Sequence, residues 1–133
     1  MENTNKLMYK KKMVSTIQSI AVLGSGTMGS GIAALCLEKG YKVLLLDISE
    51  EAVNKAKSIM LNEKYKMLSD INMIERLETG TFEKDFKNIS EYDWICEAVV
   101  EKVEIKRSIF KKIEEHRKDG SIVSSNTSGI PLR

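Results

Sequence analysis

The stretch of this sequence best suited to hold a ligand is rich in glycine and lies between an apolar run and a helical pattern. It reads GSGTMG and follows the apolar residues 20–23. The first glycine allows a sharp turn off a strand, the second leaves space for a phosphate, and the third lets a helix lie close to the strand. The free amides of the first helical turn would then face that phosphate. The predicted phosphate-binding residues are Gly24, Ser25, Gly26, Thr27, Met28 and Gly29.

Asp47 is the second group that could bind a ligand. It directly follows a second apolar run, residues 43–46, and lies 18 positions after Gly29. In dinucleotide-binding folds, an acid about 20 residues beyond the glycines accepts both hydroxyls of the adenosine ribose. A carboxylate repels a 2′-phosphate, and the two residues after Asp47, Ile48 and Ser49, include no arginine, so the pattern favours NAD over NADP. FAD-binding domains share the glycine pattern but usually prefer Glu at this position.

Composition excludes several other classes of protein. The 133 residues are 42% hydrophobic and 30% charged, with a net charge of +2, which is too small for a dedicated nucleic-acid binder. The longest low-charge stretch, residues 15–37, is interrupted by glycines and polar residues, so we expect no contact with a membrane. The amino terminus lacks an apolar signal segment, and two isolated cysteines, Cys36 and Cys96, indicate reduced buried thiols. These features predict a cytoplasmic protein.

Strands and helices alternate along the chain and must position these groups. We expect strands at 17–23, 42–46, 79–82, 94–100 and 121–124. We expect helices at 27–39, from 49 to about 68, briefly after Asp70 with Ile71, Ile74 and Leu77 inward, and at 102–117. This order predicts an α/β fold: a Rossmann-type, doubly wound, mostly parallel sheet with an inserted helical excursion at 49–80, incomplete at its C-terminus. Residues 1–16 are expected to be a tail and 17–133 a single domain.

Three stretches together resemble a known family. IAVLGSGTMGSGIAALCL at 20–37, EAVVE at 97–101 and SSNTS at 124–128 are similar to the NAD-binding domain of the 3-hydroxyacyl-CoA dehydrogenases, and the resemblance extends over residues 17–132. It implies an NAD-dependent oxidation of 3-hydroxyacyl-CoA to 3-oxoacyl-CoA in fatty-acid metabolism, by β-oxidation or butanoate chemistry. Hydroxyisobutyrate and phosphogluconate dehydrogenases share the glycine loop, but they do not explain the SSNTS segment.

The resemblance also implies roles for individual residues. The glycine loop and Asp47 would hold the pyrophosphate and the adenosine ribose, and Ala98 would line the cofactor groove. Glu101 and Lys106 would lie near the nicotinamide, and Ser128 would orient both nicotinamide and substrate; no metal site is expected. The plainer alternatives are a surface ion pair between Glu101 and Lys106, and a helix cap at 125–128.

The general base of the family is a histidine that follows the SSNTS segment. The one histidine of this sequence is His116, at the end of a predicted helix beside Arg117, and we do not expect it to act as the base. We therefore expect a truncated chain that lacks the C-terminal substrate and dimerisation domain and is inactive alone. The alternative is a stand-alone NAD-binding module without turnover. The expected partners are NAD(H) and, in the intact enzyme, acyl-CoA; an unfinished sheet would favour self-association into a homo-oligomer.

Overall fold

The structure, a computed structural model, describes residues 17–99 and 103–125 and contains a five-stranded parallel sheet. The strands are β1 (Ser19–Leu23), β2 (Lys42–Asp47), β3 (Leu77–Thr81), β4 (Trp94–Glu97) and β5 (Ile122–Ser125). Their order across the sheet is β3-β2-β1-β4-β5. The chain therefore leaves β1 first toward one side and later returns to pair on the other, which opens a crevice at the carboxyl ends of β1 and β4. The predicted parallel α/β sheet is confirmed.

Helices connect the strands. They are α1 (Thr27–Glu38), α2 (Glu50–Leu61), α3 (Phe82–Asp85) and α4 (Val103–His116), with 3₁₀ helices at Ile71–Arg76 and Phe86–Glu91. The side chain of Ser49 accepts a hydrogen bond from the Ala52 amide at 3.1 Å, and two glutamates follow it in the first turn of α2. Ser49 is therefore the N-cap of α2. Within the described ranges, no helix is long and apolar enough to cross a membrane.

Both faces of the sheet are buried. Because successive strand residues point to opposite faces, Ile20 and Val22 of β1 pack with α1 and α2, whereas Ala21 and Leu23 pack with α4 and the second 3₁₀ helix. All four side chains are fully buried. Continuous apolar runs are typical of parallel strands covered on both sides, so the central strands form a rigid platform for the loops at their carboxyl ends.

The prediction of a helix reaching residue 68 is wrong. Helix α2 ends at Leu61, where Asn62 adopts an extended backbone and its side chain accepts a hydrogen bond from the Lys64 amide at 2.9 Å. This local bond competes with continued helix. The Asp70 side chain does cap the next element, by accepting from the Asn72 amide at 2.9 Å, but that element is a 3₁₀ helix. Ile71, expected to be inward, is 57% exposed.

Strand β3 begins earlier than predicted. Residues 77–81 pair with β2 in register from Val43↔Leu77 to Asp47↔Thr81, so Leu77 and Gly80 belong to a strand rather than to a helix and its end. The available pairing surface of β2 decides this boundary. Strand β4 ends at Glu97, three residues before the predicted end, and residue 100 lies outside the described ranges, as do 1–16 and 126–133.

Helix α1 is less enclosed than its composition indicates. Apolar residues lie around most of this helix, yet Met28 is 42% exposed and Leu35 is 59% exposed. The buried positions of α1 include Ala33, Ala34 and Leu37. The helix therefore packs through a small-residue face, which lets it lie close to the sheet.

Candidate cofactor site

Two glycines of the loop after β1 occupy positions where only hydrogen fits. Gly24 has a φ of +112°, and a Cβ built on it would lie 2.8 Å from the carbonyl oxygen of Ala98. A Cβ on Gly29 would lie 1.8 Å from the carbonyl oxygen of Gly24. These contacts confirm the sharp turn and the close approach of helix to strand that the glycine spacing predicts.

The other side of the loop is open. A Cβ on Gly26 would meet nothing within 4 Å. Gly26 is also the N-cap of α1, and within the described residues no side chain caps this helix end. Its first-turn amides and the positive end of its dipole therefore face solvent, an arrangement suited to a phosphate. A cleft of about 640 Å³ adjoins the loop, lined by Ser25, Gly26, Thr27, Ser30 and Asp47 and by residues of α2 and the segment after it.

Asp47 lies at the carboxyl end of β2 and joins the loop directly. Its Oδ2 accepts hydrogen bonds from the Ser25 amide at 2.7 Å and from the Ser25 hydroxyl at 2.6 Å. Its Oδ1 accepts from the Ile48 amide at 2.6 Å. The structure thus brings two residues 22 positions apart into one unit, and the partly exposed carboxylate borders the cleft.

Ala98 lies on the opposite side of the glycine loop from Asp47's strand. Its amide donates to the carbonyl oxygen of Leu23 at 2.8 Å, and its own carbonyl approaches Gly24. The residue is buried, with 3% of its surface exposed. Its position beside the loop agrees with the predicted groove, whereas its contact with a cofactor stays a prediction.

Lys106 is in the interior rather than on the surface. Its ammonium lies 3.0 Å from both carboxylate oxygens of Glu97, and the two residues are 4% and 0% exposed. For Lys106, the alternative of a surface ion pair is therefore wrong. Glu101 and Ser128 lie outside the described residues, so their predicted roles remain untested.

Sequence reasoning did not single out Glu97 as a functional candidate. The available signal was an acid at the end of an otherwise apolar strand, with a lysine nine positions later near the start of a helix. Two further groups hold the same carboxylate: the Ser125 hydroxyl donates to Oε1 at 2.6 Å, and the Val99 amide donates to Oε2. Glu97 therefore joins the ends of β4 and β5 to α4.

His116 is remote from this edge. It is the last residue of α4, which begins after the carboxyl end of β4, and its ring centroid lies 6.1 Å from that of Phe86. In the part of the chain that the structure describes, no group of three or more His, Cys, Asp or Glu residues could hold a metal ion.

The sheet order, the glycine loop after β1 and the acid at the end of β2 together define a dinucleotide-binding domain of the Rossmann type. The chain belongs to the family described as "3-hydroxyacyl-CoA dehydrogenase, NAD binding domain", which matches residues 19–133. The cofactor of this NAD-dependent oxidoreductase family is NAD. The match favours this family over the hydroxyisobutyrate and phosphogluconate group.

Known relatives agree with this assignment. The chain is 41% identical to a probable 3-hydroxyacyl-CoA dehydrogenase of Bacillus subtilis, over 88% of this chain and 18% of that protein. It is 35% identical to a probable 3-hydroxyacyl-CoA dehydrogenase of Deinococcus radiodurans, over 87% of this chain and 36% of that protein. The crystal structure of 3-hydroxybutyryl-CoA dehydrogenase from Escherichia coli matches with a TM-score of 0.74 and 33% identity, over 86% of this chain and 25% of that one. The chain thus spans well under half the length of these relatives.

Proposed function

We propose that this chain binds NAD(H) in the cleft at the glycine loop and, in the intact enzyme, supplies the cofactor site for oxidation of a 3-hydroxyacyl-CoA. The observation that carries the proposal is the open N-terminus of α1 beside the Asp47 carboxylate. The amides of this helix end would bind the pyrophosphate, and the space left open at Gly26 admits its oxygens. Asp47 would accept hydrogen bonds from the hydroxyls of the adenosine ribose.

The bonding around Asp47 supports this role. A carboxylate offers about four acceptor positions, and among the described residues three donors, from Ser25 and Ile48, bind this one. A ribose hydroxyl would bind beside these donors, and a second would displace the Ser25 hydroxyl, whose oxygen moves away by a rotamer change about the Cα–Cβ bond. The negative charge would repel a 2′-phosphate, so NADH should bind at least tenfold more tightly than NADPH.

The nicotinamide half of the site rests on the resemblance. Ala98 would line the groove, Glu101 and Lys106 would lie near the nicotinamide and its ribose, and Ser128 would orient the nicotinamide and the oxygen of the substrate. Bound NAD would supply the hydride acceptor for the substrate carbon. The chain's own contribution is to hold cofactor and substrate in register.

We further propose that this chain is cytoplasmic and does not turn over substrate by itself. The position of His116 at the far end of α4 supports the second statement, because no described histidine reaches the carboxyl edge of the sheet, where a substrate proton would be removed. The alternative, a stand-alone NAD-binding module, would likewise bind NAD(H) without turnover.

Calorimetric titration with NADH tests the binding role. Asp47→Ala removes the ribose acceptor and should weaken binding about 10–100-fold. Gly26→Val places a branched side chain where the pyrophosphate would approach and should abolish measurable binding. Gly31→Ala is the matched control, because a Cβ at this position of α1 also meets nothing within 4 Å, and its affinity should equal that of the wild type. Unchanged affinity in both site variants would refute the cofactor assignment.

Absorbance of NADH in the presence of acetoacetyl-CoA tests the second statement. The chain alone should not consume NADH, whereas a longer protein that contains both this domain and the substrate domain should consume it. Acetoacetyl-CoA-dependent oxidation by the chain alone would show that a group within it acts as the acid–base catalyst, and His116→Ala would then identify or exclude that histidine.

A further inference from the structure

Glu97 is an acid placed where acids are rarely found. It is the last residue of β4, its neighbours Ile95 and Cys96 belong to the buried core, and none of its own surface is exposed. Removing a carboxylate from water is unfavourable unless charged and hydrogen-bonding partners replace the water. Each group that bonds to the Glu97 carboxylate is therefore held in place, together with the segment that carries the group.

Within the described residues, the partners of Glu97 come from three different segments. Oε1 accepts from the Ser125 hydroxyl at 2.6 Å and lies 3.0 Å from the Lys106 ammonium. Oε2 also lies 3.0 Å from that ammonium and accepts from the Val99 amide. One carboxylate thus joins the chain leaving β4, the beginning of α4 and the chain leaving β5.

These segments lead directly to the predicted nicotinamide contacts. Glu97 and Ser125 are opposite each other in the parallel pairing of β4 with β5. Glu101 follows Glu97 by four positions, and Ser128 follows Ser125 by three. The carboxylate therefore anchors both connections at their starting points, at the edge where an open parallel sheet binds its ligand.

We propose that Glu97 is the positioning residue for the nicotinamide half of the cofactor site, an inference that rests on the proposed function. Glu97 holds the Lys106 ammonium and the Ser125 hydroxyl, and thereby fixes the carboxyl ends of β4 and β5 relative to α4 at the edge that would receive the nicotinamide. Buried ion pairs are weak contributors to stability compared with apolar packing, so orientation is the effect to be tested. Asp47 orders the adenosine half through Ser25, and Glu97 does the same for the other half.

The experiment compares two ligands in the full chain. NADH occupies both halves of the site, whereas ADP carries only the adenosine half, so the ratio of their dissociation constants reports the nicotinamide half. Glu97→Gln should weaken NADH about tenfold and leave ADP within twofold of the wild type. Asp93→Asn is the matched control: it removes a carboxylate at the opposite end of β4, and it should change neither dissociation constant.

A second, milder variant tests the same role in case Glu97→Gln does not fold. Glu97→Gln leaves the Lys106 charge buried without an opposite charge and will also lower stability. Ser125→Ala removes only the hydroxyl contact and should weaken NADH about threefold, again without an effect on ADP. Equal changes for both ligands, or no change in a folded variant, would overturn the positioning role alone. A wild-type chain that binds neither ligand would overturn the proposed function as well.

Discussion

The two ends of β4 are built alike and differ in exposure. Asp93, just before the strand, and Glu97, at its end, each accept hydrogen bonds from two other segments and pair with a lysine of α4 or the residues after it. Asp93 accepts from the Gln18 amide at 2.9 Å and pairs with Lys118. Its side chain is 20% exposed, whereas that of Glu97 is fully buried.

This difference in exposure decides how each network responds when a partner is removed. At the amino end, a partly solvated acid joins β1, β4 and Lys118, two residues beyond the end of α4, and water can replace any partner that is lost. At the carboxyl end, water has no access to the carboxylate, so the lost partner is not replaced. The solvated network therefore tolerates change, and the buried one holds its neighbours in a single arrangement beside the ligand edge.

Replacing the lysine at each end should give the largest contrast. Lys106→Met leaves the Glu97 carboxylate buried without its charge partner and should lower the free energy of unfolding by about 3–5 kcal/mol. Lys118→Met removes a partly exposed ion pair and should lower it by less than about 1 kcal/mol. Urea denaturation of both variants measures the difference, and equal losses would mean that the two ends are equivalent.

A double variant serves as the control for the buried pair. Glu97→Leu combined with Lys106→Met removes both charges and should restore stability to within about 1 kcal/mol of the wild type. A double variant as unstable as Lys106→Met would show that the apolar replacements, rather than an unpaired charge, cause the loss.

The acid at the amino end should respond to pH. Burial acts to raise the pKa of Asp93, but hydrogen bonds from Lys118, Gln18 and Ser19, with the charge of Lys118, outweigh it and lower that pKa below its ordinary value of 3.8. Its stabilising contribution is therefore complete above the pKa of the unfolded chain and is lost as pH falls through the lower folded-state pKa. Asp93→Asn should lower the free energy of unfolding by about 1 kcal/mol at neutral pH. Urea midpoints of both proteins should converge in acid; a constant gap would contradict the role of the charge.

The two buried cysteines, Cys36 of α1 and Cys96 of β4, should be chemically silent. Burial, aided by nearby Cys96, raises the pKa of Cys36 to about 11, and burial is also the main cause of the raised pKa of Cys96. Because the thiolate is the reactive form, neither should react with a disulfide reagent at mildly alkaline pH until urea unfolds the chain. A rapidly reacting thiol in the native protein would show that the packing of α1 against β4 opens without global unfolding. This is the smallest of the expected effects, because the measurement involves no substitution and no change in the free energy of unfolding.

Local patterns were sufficient for the parts of the fold that depend on local sequence. The apolar runs predicted the central strands, and the glycine spacing predicted the turn at Gly24 and the packing at Gly29. The end of α2 and the start of β3 were wrong because they depend on competing interactions. An Asn62 side-chain bond ends the helix, and pairing with β2 recruits Leu77 into the strand.

The candidate site was predictable in one half and not in the other. Asp47 stands at a characteristic distance after the glycines, so spacing alone predicted that it would lie beside the loop. Glu97 depends on Lys106, nine residues later, and on Ser125, 28 residues later. Those three side chains meet only when α4 folds back across the sheet and β5 pairs with β4. Nothing in the strand's own sequence indicates whether its acid is solvated or buried.

Substitutions at two glycines of the loop after β1 should cause two different kinds of defect. At Gly29, any other residue collides with the backbone of Gly24, so a missense change there is a folding defect that excess cofactor cannot rescue. At Gly26 the fold has room for a side chain, so under the proposed function a small replacement should produce a binding defect that a higher cofactor concentration overcomes. Substitutions at these two positions, three residues apart, would thus both reduce cofactor binding, but a higher cofactor concentration would restore it only at Gly26.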